Sequence, residues 1–189
     1  MTTADVFRRV IAALEAAGIP YMLTGSFASS YHGAPRATQD VDMVIVAGRE
    51  ELRALIRQLS PGDFYADERA ALEAHDFHGQ FNLIDLATGW KIDLIVRKDR
   101  PFSREEFERR VVVDYDGVPV SIATPEDVVI AKLEWAQMGA SRRQTEDAAR
   151  LLRVRWADLD RTYIAKWVHA LGLGERWKAA LNAAAVSED

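Results

Sequence analysis

The residues of this 189-residue chain whose types and spacing can do chemistry are Gly25-Ser26, Asp40-Val41-Asp42 and a lone Asp93 in the apolar run Ile92–Val96. Side chains at i and i+2 of a strand share a face, roughly 6.5–7 Å apart at the backbone. Asp40 and Asp42 therefore reach into one small volume. Two carboxylates held there repel, and burying them uncompensated is costly. A divalent cation that prefers oxygen ligands removes the repulsion, Mg²⁺ first and Mn²⁺ as the alternative. Asp93 is an unusual residue for an interior strand. It either pairs with Lys91 or Arg97 on its own face, or stands as a third carboxylate that ligates metal or takes a proton from an attacking hydroxyl. Gly25 permits a positive φ and a close backbone approach. Ser26 adds a hydroxyl donor, and the free amides of a following helix favour an anion such as phosphate.

Further residues join this set by position. Lys132 has Val128, Val129, Trp135 and Ala136 at helical spacing, so its ammonium must find a partner or reach out. Glu134 or Asp127 could be that partner; a triphosphate is the other possibility. Arg36 precedes the acid pair and suits a phosphate or an acceptor, or a plain surface loop. Thr38 can brace the turn into Asp40. His32 and Tyr31 are candidates for a base or ribose contact. His75 and His78, at i and i+3, could meet on a helix but have no matching ligands downstream.

The elements that must position these groups read as follows. Thr2-Thr3-Ala4-Asp5 is a capping box, and Val6, Val10 and Leu14 with Phe7 and Ile11 form an apolar stripe that Gly18 and Pro20 end. Tyr21–Thr24 is a buried strand, Gly25 breaks it, and Phe27–His32 is a short helix. Thr38–Ala47 alternates as a strand and is apolar on both faces after Asp42, which predicts a central position. Arg49–Leu59 is a helix. Residues 62–80 give only a short helix near 67–73. Phe81–Leu86 and Trp90–Val96 form a hairpin, and Ser103-Arg104-Glu105-Glu106 is a second capping box. Val111–Tyr115 and Val118–Ile122 flank Asp116-Gly117, a strong hairpin signal. The pattern then turns wholly helical. Thr124-Pro125-Glu126-Asp127 is a full helix start, followed by helices from Ser141 to Arg153, over 158–171 and over 174–185. Trp135, Trp156, Trp167 and Trp177 fall at apolar helical positions, which predicts core packing. The expected organisation is two parts, 1–122 with the strands and 123–189 as a helical region.

Bulk properties narrow the class. Apolar residues make up 49% and charged residues 28%, which fits a folded domain with a real core. There is no cysteine, so disulfides and thiolate metal sites are excluded, in keeping with a reducing cytoplasm. Met1–Asp5 shows no basic and apolar leader, and no 18-residue apolar run predicts a membrane span. The formal net charge of −5 argues against non-specific coating of nucleic acid. The Arg142–Arg155 segment holds five arginines and could form a local basic surface. No Gly-x4-Gly-Lys-[Ser/Thr] or Gly-x-Gly-x-x-Gly occurs, which excludes P-loop and dinucleotide-binding readings.

Gly25-Ser26, a 13-residue gap, Asp40-Val41-Asp42 and a later Asp93 together resemble the polymerase-β-like nucleotidyltransferase superfamily. The string from His32 to Asp42 looks like its minimal bacterial and archaeal members, among them the AbiEii-type toxins. So does Glu126–Trp135, followed by Arg142-Arg143-Gln144 and Glu146-Asp147. The resemblance covers most of 19–152. It implies an α+β nucleotidyltransferase fold, with a short mixed sheet flanked by helices and a C-terminal helical bundle. It also implies transfer of a nucleoside monophosphate from a nucleoside triphosphate to an acceptor hydroxyl, with pyrophosphate released. Gly25 and Ser26 would hold the phosphates; Arg36 and Lys132 would contact the nucleotide. Asp40, Asp42 and Asp93 would bind Mg²⁺, with Asp93 helping to activate the acceptor. The acceptor implied is a tRNA, a protein or a small molecule, and an antitoxin is a possible partner. The competing readings are a non-catalytic nucleotide-binding module, or a component of a toxin–antitoxin complex, with the same fold.

Overall fold

The computed structural model describes residues 3–35, 40–139 and 141–187. Arg36 and Thr38 lie outside the described residues. The chain divides into two compact units, one of Met1–Thr24 with Thr38–Ile122, the other of Gly25–Ala37 with Ala123–Asp189. One cut therefore falls at the change of pattern after Ile122. The segment 25–37, although early in the chain, belongs with the helical unit.

The first unit is built on a mixed sheet. Its elements are α1 (Thr3–Ala16), β1 (Tyr21–Thr24), β2 (Asp40–Ile45), α3 (Arg49–Gln58), β3 (Phe64–Ala66), α4 (Glu68–Phe77), β4 (Gln80–Asp85), β5 (Lys91–Val96), α5 (Pro101–Glu108), β6 (Val111–Tyr115) and β7 (Val118–Ile122). The helix α2 (Gly25–Tyr31) belongs to the second unit. Strand order is β3-β4-β5-β2-β1-β7-β6, so β2 is central, as its apolar run requires. It runs antiparallel to β1 and parallel to β5. Alternation decides the faces. Phe81, Leu83, Ile92, Leu94, Val41 and Met43 are buried on one side, where α4 packs on β4 and β5. Gln80 and Asn82 on the other side are exposed. The stripe of α1 (Val6, Phe7, Val10, Leu14) is fully buried and packs against α3 and β7.

Two local expectations are corrected. The stretch 62–80 contains the strand β3 as well as a helix, and that helix runs to Phe77, beyond the expected short turn. Asp67 caps it by accepting from Ala70 N–H at 3.1 Å. His78 closes it in the left-handed region at φ 48°. The helix expected to open at Ser103 instead opens at Pro101. Proline at the first helical position has no N–H to leave unsatisfied, so it outcompetes the downstream box; Ser103 accepts from Arg100 Nε at 3.0 Å instead.

The second unit contains α2 (Gly25–Tyr31), α6 (Pro125–Gly139), α7 (Arg142–Arg155), α8 (Arg161–Ala170) and α9 (Gly174–Ala184). The helix α6 is its axis and packs against each of the other four. The Thr124 cap is buried, and its acids are bound inside. Asp127 Oδ2 accepts from Thr124 Oγ1 at 2.6 Å, and Oδ1 accepts from Tyr163 Oη at 2.6 Å. Glu126 Oε1 accepts the Asp160 amide at 3.1 Å. Trp167 and Trp177 are in the core as expected, and Trp156 is half-buried. Trp135 is not in the core: it is 48% exposed, with Met138 exposed beside it. The face of α6 that turns inward carries Lys132, bound to α7.

Candidate active site

The acids are brought together by strand register. Asp42 on β2 pairs with Asp93 on the parallel neighbour β5, and Asp40 pairs with Lys91. On the other side of β2, Thr24 pairs with Asp42; on the other side of β5, Asn82 pairs with Asp93. Thr24, Asp42, Asp93 and Asn82 thus form one polar row across four adjacent strands, on the face opposite to the one α4 covers. Neighbouring strands are about 4.8 Å apart, so in-register side chains on one face touch or nearly touch. Asp40 and Lys91 form the next row on that face.

Exposure differs among these acids and their neighbours. Asp40 and Asn82 are exposed and Asp42 is half-buried, whereas Asp93 is only 7% exposed. Asp93 Oδ2 accepts from Lys91 Nζ at 2.9 Å. Its other oxygen, Oδ1, is buried and has no hydrogen-bond partner among the described residues. The pairing with Lys91 anticipated from the sequence is therefore present and uses one oxygen of the two. The Lys91 ammonium is held protonated above the ordinary lysine range, first by the bond to Asp93 and then by the charges of Asp93, Asp40 and Asp42 acting against its burial. All three carboxylates are felt at one point on the sheet.

The donor set is wholly oxygen, and a buried carboxylate oxygen left without a donor is a group that a hard cation would satisfy. On those two observations the residues fit Mg²⁺. Among the described residues no three His, Asp or Glu side chains already converge as a metal cage; the Asp93 carboxylate is turned to Lys91 instead.

Of the remaining sequence candidates, Gly25, Ser26, His32 and Lys132 lie in the second unit and His75 and His78 in the first. Gly25 has φ 62°, the left-handed conformation in which glycine is favoured, and opens α2. It is bonded to Thr24, the cross-strand partner of Asp42. The Ser26 carbonyl accepts from Ser30 Oγ at 3.0 Å. Lys132 is 3% exposed. Its partners include Asp147 Oδ2 at 3.4 Å and Gln144 Oε1 at 3.5 Å, both on α7. His32 is buried, with Nε2 2.8 Å from the Ala123 carbonyl oxygen. That contact makes Nε2–H the donor. Burial is the main cause that pushes its pKa below the ordinary histidine value. His75 Nδ1 meets Asp76 Oδ1 of the next residue at 3.1 Å, and His78 Nδ1 meets the Arg97 carbonyl, 19 residues on, at 3.0 Å.

Asn82 and Lys91 were not singled out from the sequence as site residues. The signal for both was the polar alternation around Asp93: Gln80 and Asn82 in one strand of the hairpin, Lys91 and Asp93 in the other.

The fold is similar to that of solved nucleotidyltransferases. The solution structure of the antibiotic-resistance factor ANT(2'')-Ia aligns over 95% of this chain and 96% of its own, with a TM-score of 0.52 at 14% identity. An antigenic nucleotidyltransferase-like protein from Paracoccidioides brasiliensis aligns over 95% of this chain and 94% of its own, with a TM-score of 0.51 at 20% identity. At these identities the likeness establishes an α+β nucleotidyltransferase fold. No protein-family model matches the chain, and a search of curated proteins by sequence gives no match. No helix among the described residues is long and apolar enough to cross a membrane.

Proposed function

We propose that this protein is a metal-dependent nucleotidyltransferase that moves a nucleoside monophosphate from a nucleoside triphosphate to an acceptor hydroxyl. The observation that carries the reading is the register Thr24–Asp42–Asp93, with Asp40 two residues before Asp42 on the same face. A sheet that serves only as scaffold gains nothing from carboxylates placed side by side. The nucleotidyltransferase fold supports the same reading.

In the proposed reaction the acceptor oxygen forms a bond to the α-phosphorus and the bond from that phosphorus to the bridging oxygen breaks. The bonding electrons leave with pyrophosphate. The hydroxyl proton passes to Asp93, whose Oδ1 has no hydrogen-bond partner among the described residues. Asp40, Asp42 and Asp93 would hold Mg²⁺, with Mn²⁺ as a substitute; when bound, the metal supplies positive charge against the triphosphate and the departing pyrophosphate. Gly25 and Ser26 are assigned to the phosphates on their motif and on the positive φ of Gly25. Lys132 is assigned to the nucleotide, with Asp147 as its partner when no nucleotide is bound. Arg36 keeps its assignment from the sequence motif alone. The acceptor is a tRNA, a protein or a small molecule. The AbiEii-like strings favour a toxin-type enzyme of the cytoplasm with an antitoxin partner.

The test is transfer of label from each α-labelled nucleoside triphosphate, with Mg²⁺ or Mn²⁺, to total RNA, to protein and to an aminoglycoside. Wild-type protein is expected to label one of the three. Asp42→Ala is expected to abolish transfer while remaining folded. Equal labelling by wild type and Asp42→Ala would remove the acids from the reaction. Nucleotide binding without any transfer would favour a non-catalytic module.

A further inference from the structure

Lys91 is a charged feature of the acidic face that the proposed reaction does not use. It stands in the row of Asp40 and on the strand of Asp93, so it is a cation among three carboxylates. Among the described residues its bond goes to Asp93 Oδ2 alone, at 2.9 Å. The opposite oxygen, Oδ1, is buried and has no partner among the described residues. A lysine that served only to neutralise a strand carboxylate would be free to sit anywhere near it. Here it is bound to one oxygen of a side chain that is nine-tenths buried, so the carboxylate plane has little freedom left.

We propose that Lys91 is a positioning residue: by holding Asp93 through Oδ2 it fixes the carboxylate and reserves Oδ1 for the metal and the acceptor proton. This rests on the nucleotidyltransferase reading above. The physical basis is twofold. A reacting oxygen displaced by about 1 Å costs on the order of 10²-fold in rate. A fixed ammonium beside the acids also lowers the attraction of the face for a further cation, because like charges at short range repel even at a high effective dielectric.

The inference is tested with Lys91→Met and Lys91→Arg in the full chain. Lys91→Met is expected to lower kcat at least tenfold with KM for the nucleotide within twofold and an unchanged melting temperature. Lys91→Arg is expected to recover most of that kcat, because it keeps a donor for Oδ2. A second readout needs no turnover. Mn²⁺ titration of the nucleotide-free protein, followed by electron paramagnetic resonance, is expected to show Lys91→Met binding about three- to tenfold more tightly than wild type, an estimate from the lost repulsion. Unchanged or weaker Mn²⁺ binding by Lys91→Met, or a kcat within twofold of wild type, would overturn the role of Lys91 and leave the reaction standing. Absence of both Mn²⁺ binding and transfer in the wild type would overturn the reaction itself, and this role with it.

Discussion

Asp85 and Asp93 belong to the same β4–β5 hairpin, both are buried, and their surroundings differ completely. Asp85 ends β4 on the face that α4 covers and is 0% exposed. Both its oxygens are used: Oδ1 accepts from Thr88 N–H at 2.9 Å and from Thr88 Oγ1 at 2.7 Å, and Oδ2 is paired with Arg9 of α1. Asp93 lies on the opposite face, with one oxygen bound and one not. The first carboxylate is a fastener, tying a hairpin turn to a helix with its acceptor capacity filled. The second is held open. A buried polar atom without a partner costs stability, so a fold that leaves one in its central rows carries that cost for something other than folding. The same contrast separates Asp127, accepting from Thr124 and Tyr163, from Asp93 on β5.

The widest break in this comparison would come from Asp93→Asn. The carboxamide keeps the shape and can still accept from Lys91, but it cannot take a proton and is a poor ligand for Mg²⁺. Transfer should fall by about 10²- to 10⁴-fold, the range for loss of a general base. The melting temperature should stay level, because Lys91 is partly exposed and keeps a hydrogen bond to the carboxamide oxygen. Steady-state rates and a thermal melt on one preparation check both. A large drop in melting temperature would place Asp93 beside Asp85 as a structural residue.

The reciprocal change is Asp85→Ala. It strands Arg9 and leaves the Thr88 amide and hydroxyl without their acceptor, so stability should fall by about 3–5 kcal/mol, the cost of removing one partner of a buried ion pair. Urea denaturation measures it. Activity per folded molecule should remain near wild type. Rate lost in proportion to nothing but the unfolded fraction supports the division; a rate lost at full folding would mean that the two faces of the hairpin are coupled.

How far the sequence exposed this contrast depends on range. The Asp-x-Asp pair, the central β2 strand and the Asp116-Gly117 hairpin were legible because periodicity and turn chemistry act over a few residues. The choice of partner was legible only in part. Lys91 could be named for Asp93 because it is two residues away, whereas Asp147, fifteen residues from Lys132, could not. Asp85 was passed over for the same reason, since its ion-pair partner lies 76 residues back in α1. The nearer clue was Thr88 three residues on, in a turn that shows its bonds only once the strands pair. Trp135 misled because the face a helix buries is decided by its neighbours, and α6 buries a lysine with its acid instead of that indole. The grouping of 25–37 with the C-terminal helices had no local signal at all.

His32 offers the finest test of the rule that a buried polar group with its partner in place is structural. It sits close in sequence to the Gly-Ser turn and could be taken for a nucleotide contact, yet its Nε2 is committed to the Ala123 carbonyl. Burial holds its folded pKa below the ordinary value of 6.5. As pH falls through that ordinary value the unfolded chain takes up the proton first, so stability rises with pH across this window. The contribution is complete above the unfolded pKa and is lost as pH falls through the lower, folded one. The difference in melting temperature between wild type and His32→Asn, followed from pH 7.5 to 5, isolates this group from the carboxylates that titrate below it. The wild-type advantage should shrink as the solution is acidified, while kcat for the two proteins keeps the same pH profile. Parallel melting curves with divergent pH profiles of kcat would move His32 out of the scaffold and into the reaction.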